Sequence, residues 1–248
     1  METNIEKFER LMAEVKRPGV EELMNYIRKS DFYTAPASTR FHLSCEGGLL
    51  QHSLNVFEAL LWRVGMIDKT TYCYEVATNI VAKFNIETLI ISALLHDICK
   101  TGFYEIGTKN QKTYDKEKVK KAKSWQVKED NKGKFIWESV PTYTVNDKNP
   151  YGHGEKSVMM IEEFMKLTME ERYAIRWHMG MGDSTYSQIQ AFNASCEKYP
   201  LVLLLHNADQ EASHFLEENN GNRDFATITA KEEKPMTDAD GFEEAEPI

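Results

Sequence analysis

The sequence predicts a mainly α-helical protein, a bundle of helices interrupted by a small β-hairpin insertion. Three observations carry this reading. Leu50, Leu54, Phe57, Leu61 and Val64 recur at alternating four- and three-residue spacing, which is one apolar face of a helix. Residues 86–98 are apolar nearly all round behind Asn85, an N-cap residue type, as expected of a helix buried on most sides. The helical pattern breaks only over about residues 104–150.

Taken in order, residues 5–16 and 20–29 read as two short helices separated by Pro18 and Gly19, with Pro36 in the loop that follows. The pair Gly47-Gly48 opens the next helix, with His52 in its first turn, and Gly65 can end it. The apolar helix 86–98 carries His96 and Asp97 at its C-terminal end, before Gly102. In the insertion, Trp125 and Val127, then the turn residues 129–133, then Phe135, Trp137 and Val140 predict a β-hairpin. Helix is expected again over 154–167, and Thr168 with Glu171 forms a capping box for a helix carrying Trp177 and His178, stopped by Gly180 and Gly182. A helix over 187–198 and a last one opened by Pro200 complete the bundle.

Composition points to a soluble globular chain. With 248 residues, 42% of them hydrophobic, it can bury a core without disulfides. Cys45, Cys73, Cys99 and Cys196 show no CxxC spacing, which argues against a zinc knuckle and fits reduced thiols in a cytoplasm. The charged start METNIEKFER is no signal peptide, and no apolar run approaches the length of a membrane span. The net charge of −9 is concentrated at the C-terminus, where residues 217–248 hold ten acids against three bases and read as an acidic, disordered tail. Conversely, residues 109–134 hold ten lysines against four acids, readable as a phosphate-attracting patch or as a solvated loop.

A histidine beside a carboxylate at the end of an almost wholly apolar helix is costly to bury unless both groups are paired or bind a cation. Imidazole and carboxylate together suit Mn, Fe, Zn, Ni or Co, and two divalent ions sharing a carboxylate can activate water and hold phosphate oxygens. Further ligand types sit at His52 in LLQHSLNV, His153 in YGHGEKS, His178 in IRWHMG and Asp209 in LLLHNADQEAS. Singly, each also reads as an ordinary helix or loop residue.

Their joint order, H…HD…H…H…D, resembles the HD-domain superfamily of metal-dependent phosphohydrolases. FHLSCEGGLLQHSLNV, ALLHDICK, GHGEKS, WHMG and LLHNAD are similar to the HD domain of bacterial 3′–5′ exoribonucleases. The resemblance implies an HD-domain helical bundle over residues 40–216; the insertion at about 104–150 lies outside it, and the helices of residues 1–39 are expected to pack on the core. It implies that His52, His96, Asp97 and Asp209 hold a first metal, that Asp97 bridges to a second held by His153 and His178, and that water between the metals is the nucleophile. The ions would be two of Mn, Fe, Ni, Co, Zn or Mg. Lys100 would meet a substrate phosphate or neutralise its helix C-terminus. Arg40 and His42 are candidates for phosphate or sugar contact, and His206 for orienting a ligand or the substrate.

The expected activity is hydrolysis of a phosphomonoester or phosphodiester in a nucleotide or short oligonucleotide. A 3′–5′ exonuclease gripping single strands on the lysine-rich insertion, through Tyr114, Trp125, Phe135 and Trp137, is one alternative. A non-catalytic nucleotide-sensing or protein-docking module is another.

Overall fold

The computed structural model describes residues 2–69, 84–182 and 185–217. The N-terminal helices are α1, Asn4–Met12, started by a Thr3–Glu6 capping box, and α2, Val20–Lys29, started by Gly19. Helix α1 stops short of residue 16 because the chain turns there to bury Val15.

Helix α3 runs from Gly48 to Lys69, so Gly65 does not end it. A glycine inside a helix costs about 1 kcal/mol, which the packing of so long a helix absorbs. Gly48 is required at its start, since a Cβ there would lie 2.1 Å from the Leu43 carbonyl oxygen. The expected stripe drifts along α3: Leu60 is buried while Leu61 is exposed, because 3.6 residues per turn moves the inward face. His52 lies in the second turn rather than the first.

Helix α4, Ile86–Leu95, starts where the Asn85 side chain accepts from the Thr88 amide, and everything from Leu89 to Leu95 is buried. It ends three residues earlier than expected. His96 is its C-cap, Asp97 leaves helical geometry (φ −109°, ψ 17°), and a 3₁₀ turn, Ile98–Lys100, follows.

The insertion is larger than a hairpin. Strand β1, Tyr104–Thr113, precedes a short helix α5, Lys116–Lys121, and the strands β2, Lys128–Asp130, and β3, Gly133–Val145. The expected hairpin is β2–β3, but β3 continues and pairs antiparallel with β1 from Tyr104↔Val145 to Thr113↔Ile136, giving the order β1-β3-β2. Strand β1, YEIGTKNQKT, lacks the apolar alternation of a half-buried strand because most of it is exposed.

Helix α6, His153–Glu162, and α7, Met169–Trp177, follow, the second behind the expected Thr168–Glu171 capping box. Helix α8, Tyr186–Lys198, leads to α9, Pro200–Glu211, with Pro200 in its first turn, and a π-helical turn, Ala212–Leu216, closes the described chain. Helix α4 packs on α3, α7 and α1, and α9 packs on α3 and α7. The fold is therefore the expected helical bundle with a small antiparallel sheet. The expected tail is corrected at its first residue: Glu217 is buried, because its carboxylate meets a histidine of the core, and residues 218–248 lie outside the described residues.

Arg17, in the loop between α1 and α2, ties the N-terminal helices to the bundle. Its guanidinium donates to both carboxylate oxygens of Glu171 at 2.6 Å, and Glu171 is fully buried. Burial works against the charged carboxylate, but the Arg17 hydrogen bonds outweigh it and hold the Glu171 carboxyl below its usual value. Arg17→Ala strands that carboxylate and is expected to cost about 3–5 kcal/mol of stability, read as a lowered urea midpoint at unchanged slope.

Candidate metal centre

The six expected ligand residues come from five helices of the bundle, and all six meet at one point. His52 is brought by α3, His96 and Asp97 by the end of α4, His153 by the first residue of α6, His178 by the C-cap of α7, and Asp209 by the last turn of α9. All but His153 are buried.

Asp97 is the hub. Its Oδ2 lies 3.4 Å from His96 Nε2 and 3.6 Å from His52 Nε2, while its Oδ1 lies 2.7 Å from His153 Nε2 and 3.3 Å from His178 Nε2. On the Oδ2 side, His52 Nε2 is 3.3 Å from His96 Nε2 and 3.2 Å from Asp209 Oδ1. The two oxygens of one carboxylate thus face two different groups of donors.

The ring nitrogens pointing away from Asp97 are used to aim the rings. His96 Nδ1 donates to the Ala93 carbonyl at 2.7 Å and His178 Nδ1 to the Ile175 carbonyl at 2.6 Å, each three residues back at a helix end. This fixes the tautomer that leaves Nε2 as a lone-pair donor facing the carboxylates, as metal-ligating histidines require. His178 Nε2 is buried with no hydrogen-bond partner. A buried imidazole lone pair with nothing to accept fits a cation site better than a structural core.

Close backbone approach sets the second group. A Cβ on Gly154 would sit 2.1 Å from the Arg176 carbonyl oxygen, so only glycine lets α6 start against the end of α7, where the His153 and His178 rings are 5.2 Å apart. Cys99 Sγ lies 3.4 Å from His153 Nδ1, a buried thiol that burial pushes up to about 12.

The charges are strongly coupled. Burial opposes ionisation of Asp97, but Lys100, His96 and His153 outweigh it and hold the carboxyl well below its usual value. Burial likewise opposes protonation of His52, yet Asp209 and Glu217, one on each ring nitrogen, raise it to about 10. His96 is shifted down, first by burial.

Glu217 is the residue that the sequence reading left out of the site. Its Oε1 accepts from His52 Nδ1 at 2.8 Å and from Asn55 Nδ2 at 3.0 Å, the carboxylate–imidazole arrangement that orients metal ligands. Its spacing of eight residues from Asp209 was the available signal, masked by its position at the head of an acidic segment.

The other candidates divide. Lys100 reaches the centre, buried, with Nζ 2.5 Å from Asp97 Oδ2. The His42 ring lies 4.9 Å from that of His52, and its Nε2 is 4.0 Å from Glu217 Oε2. Burial, then the neighbouring His52, lowers His42 to about 4. Arg40 is exposed and belongs to a separate pocket with the sheet. His206 Nδ1 donates to the His178 carbonyl at 2.6 Å and its ring fills the space over Gly180, so it braces the end of α7 that carries a ligand residue. A groove of about 930 Å³ runs along α6, α7 and α8 and contains none of the six ligand-type residues.

The family model for the HD domain matches residues 49–243, most of the chain. The chain belongs to the HD domain family. Comparison with curated proteins and with solved structures gave no match. HD domains as a family are metal-dependent hydrolases that bind divalent ions, and the donor clusters of this one, His52–His96–Asp97, His96–His178–Asp209 and Asp97–Cys99–His153, have the chemistry for that. No described helix of this HD domain is long and apolar enough to cross a membrane.

Two substitutions test the supports of the centre. Glu217→Ala should weaken divalent-metal affinity about 10- to 100-fold in a calorimetric titration, with the helical circular-dichroism signal unchanged. Gly154→Ala forces the start of α6 off α7 and is expected to lower the melting temperature measurably, because the clash is with backbone that cannot rotate away.

Proposed function

We propose that this HD domain hydrolyses a phosphoester bond of a nucleotide-type substrate with two divalent cations. His52, His96, Asp97 and Asp209 would hold one and Asp97, His153 and His178 the other. The observation that carries this reading is the split of Asp97, whose Oδ2 faces His52 and His96 while Oδ1 faces His153 and His178.

Bound there, such cations supply Lewis acidity toward phosphate oxygens and lower the pKa of a water to near neutrality. The protein supplies everything else. The hydrogen bonds from His96 and His178 to backbone carbonyls, and from His52 to Glu217, hold the rings in one orientation, so no reorganisation is needed when charge develops. Burial keeps the local dielectric low, which strengthens each electrostatic interaction. Lys100 is the point charge nearest the shared carboxylate and is placed to meet a phosphate oxygen. His42, whose ring is 4.9 Å from that of His52, and Arg40 two residues before it would contact the substrate's phosphate or sugar.

Incubation with an aryl phosphodiester and a nucleotide panel, across Mn, Fe, Ni, Co, Zn and Mg, is expected to give turnover that a chelator abolishes. Asp97→Ala should lower it on the order of a thousandfold, the size of several kcal/mol of lost charge stabilisation. Elemental analysis should show two equivalents of metal in the native chain and about one in His178→Ala. Absence of turnover with every metal would sink the enzymatic reading.

A further inference from the structure

The sheet carries a surface that the metal centre does not use. In an antiparallel pair, residues opposite one another project from the same face. The register Ile106↔Tyr143, Thr108↔Pro141, Asn110↔Ser139, Lys112↔Trp137 therefore defines one face, extended by Lys128↔Phe135. Helix α5 lies behind the sheet, since Lys118 bonds to Glu138, which projects the other way.

The front face is open, with Phe135, Trp137 and Tyr143 as its rings and Lys112 and Lys128 as its lysines. Ile106 is 78% exposed and Trp137 50%, and Thr108, Asn110, Ser139 and Pro141 are exposed between them. Phe135 is buried beneath Tyr114 and Trp137, with ring centroids at 5.7 and 6.0 Å, and the Lys112 ammonium sits 4.2 Å from its centroid. Lys112 and Lys118 pair with Asp130 and Glu138, but the other eight of the ten lysines in residues 109–134 make no ion pair among the described residues. Of these, Lys128 projects from the front face and Lys109 lines the cavity shared with Arg40, while Lys116, Lys120 and Lys121 lie on α5 behind the sheet; a local excess of cations attracts anions.

The inner end of this face meets the loop that precedes α3. Ile106, Pro141 and Tyr143 close a cavity of about 270 Å³ with Thr39, Arg40 and Ser44, and Arg40 has no acidic partner among the described residues. Tyr104 hydroxyl donates to the Ala37 carbonyl at 3.2 Å, pinning the sheet to that loop. Two residues after Arg40, the His42 ring stands 4.9 Å from the His52 ring. At about 3.3 Å per residue, the strand from Tyr104 to Lys112 is about 27 Å long, room for several nucleotides of an extended strand.

We propose that this face binds a single strand of nucleic acid, with lysines and Arg40 on the backbone phosphates and bases stacked on Trp137 and Tyr143, and leads its end to the metal centre. Exposed rings offer stacking that paired bases cannot use, which favours a single strand over a duplex, and stacking needs π-faces that an acidic peptide seldom carries. The delivery to the metals rests on the phosphohydrolase reading above; the binding does not.

The test separates the two. Full-length protein is kept metal-free with a chelator, and anisotropy of labelled single-stranded RNA and DNA oligonucleotides is followed from low to high salt, while aryl-phosphodiester turnover is measured separately on the metal-loaded native protein. Lack of turnover with intact strand binding would remove the enzymatic reading alone. Expected is salt-sensitive single-strand binding, weakened about tenfold by Trp137→Ala and by Lys128→Glu on the front face, but no more than about twofold by Lys120→Glu on α5 behind the sheet. Quenching of tryptophan fluorescence by bound strand should also shrink in Trp137→Ala. The proposal is overturned by no strand binding at low salt, by equal losses from front and rear substitutions, or by polyglutamate or duplex binding as tightly as single strands.

Discussion

Asp97 is a carboxylate with almost no contact with solvent, set among four imidazoles and an ammonium. An ionised carboxylate can be buried only if opposite charge or donors surround it, because its desolvation otherwise costs several kcal/mol. That requirement explains why α3, α4, α6, α7 and α9 converge where they do: each aims a polar group at the same few cubic ångströms, and all but α3 do so from at or near a helix end. The apolar all-round character of α4 makes the convergence possible, since it can be packed by other helices on every side.

The same device recurs at two helix ends. At His96 and at His178 a helix stops, the carbonyl three residues back accepts the ring Nδ1–H, and Nε2 turns inward. The helix C-terminus carries partial negative charge, which favours a cation beside it. Where no helix end is available, at His52 within α3, a carboxylate does the same work, and Glu217 is brought back to it by the π-helical turn after α9. The end of the described chain is thereby part of the site.

The insertion follows different physics. Its sheet has little core of its own beyond Phe135 and is held to the bundle at the Tyr104–Ala37 hydrogen bond and the loop around Arg40. A surface built this way is free to carry charge and exposed rings, because stability does not depend on hiding them. It also stands beside the loop that carries His42, whose ring is 4.9 Å from that of His52.

The sequence by itself determined the helical class and the starts at Asn85, Thr168 and Pro200, because periodicity and capping are local rules; the cost of burying a histidine–aspartate pair marked His96 and Asp97, and the order H…HD…H…H…D marked the other four ligand types. It also located the β2–β3 turn. Strand β1 was not legible, since a mostly exposed strand has no apolar alternation to betray it, and the ends of α1, α3 and α4 moved because packing outweighs propensity at helix termini. Only the tertiary structure decided that Glu217 belongs to the centre and His206 braces α7, that Asp97 divides its two oxygens between two groups of donors, and which residues share the front of the sheet. Those facts depend on contacts between segments far apart in the chain, which no local pattern encodes.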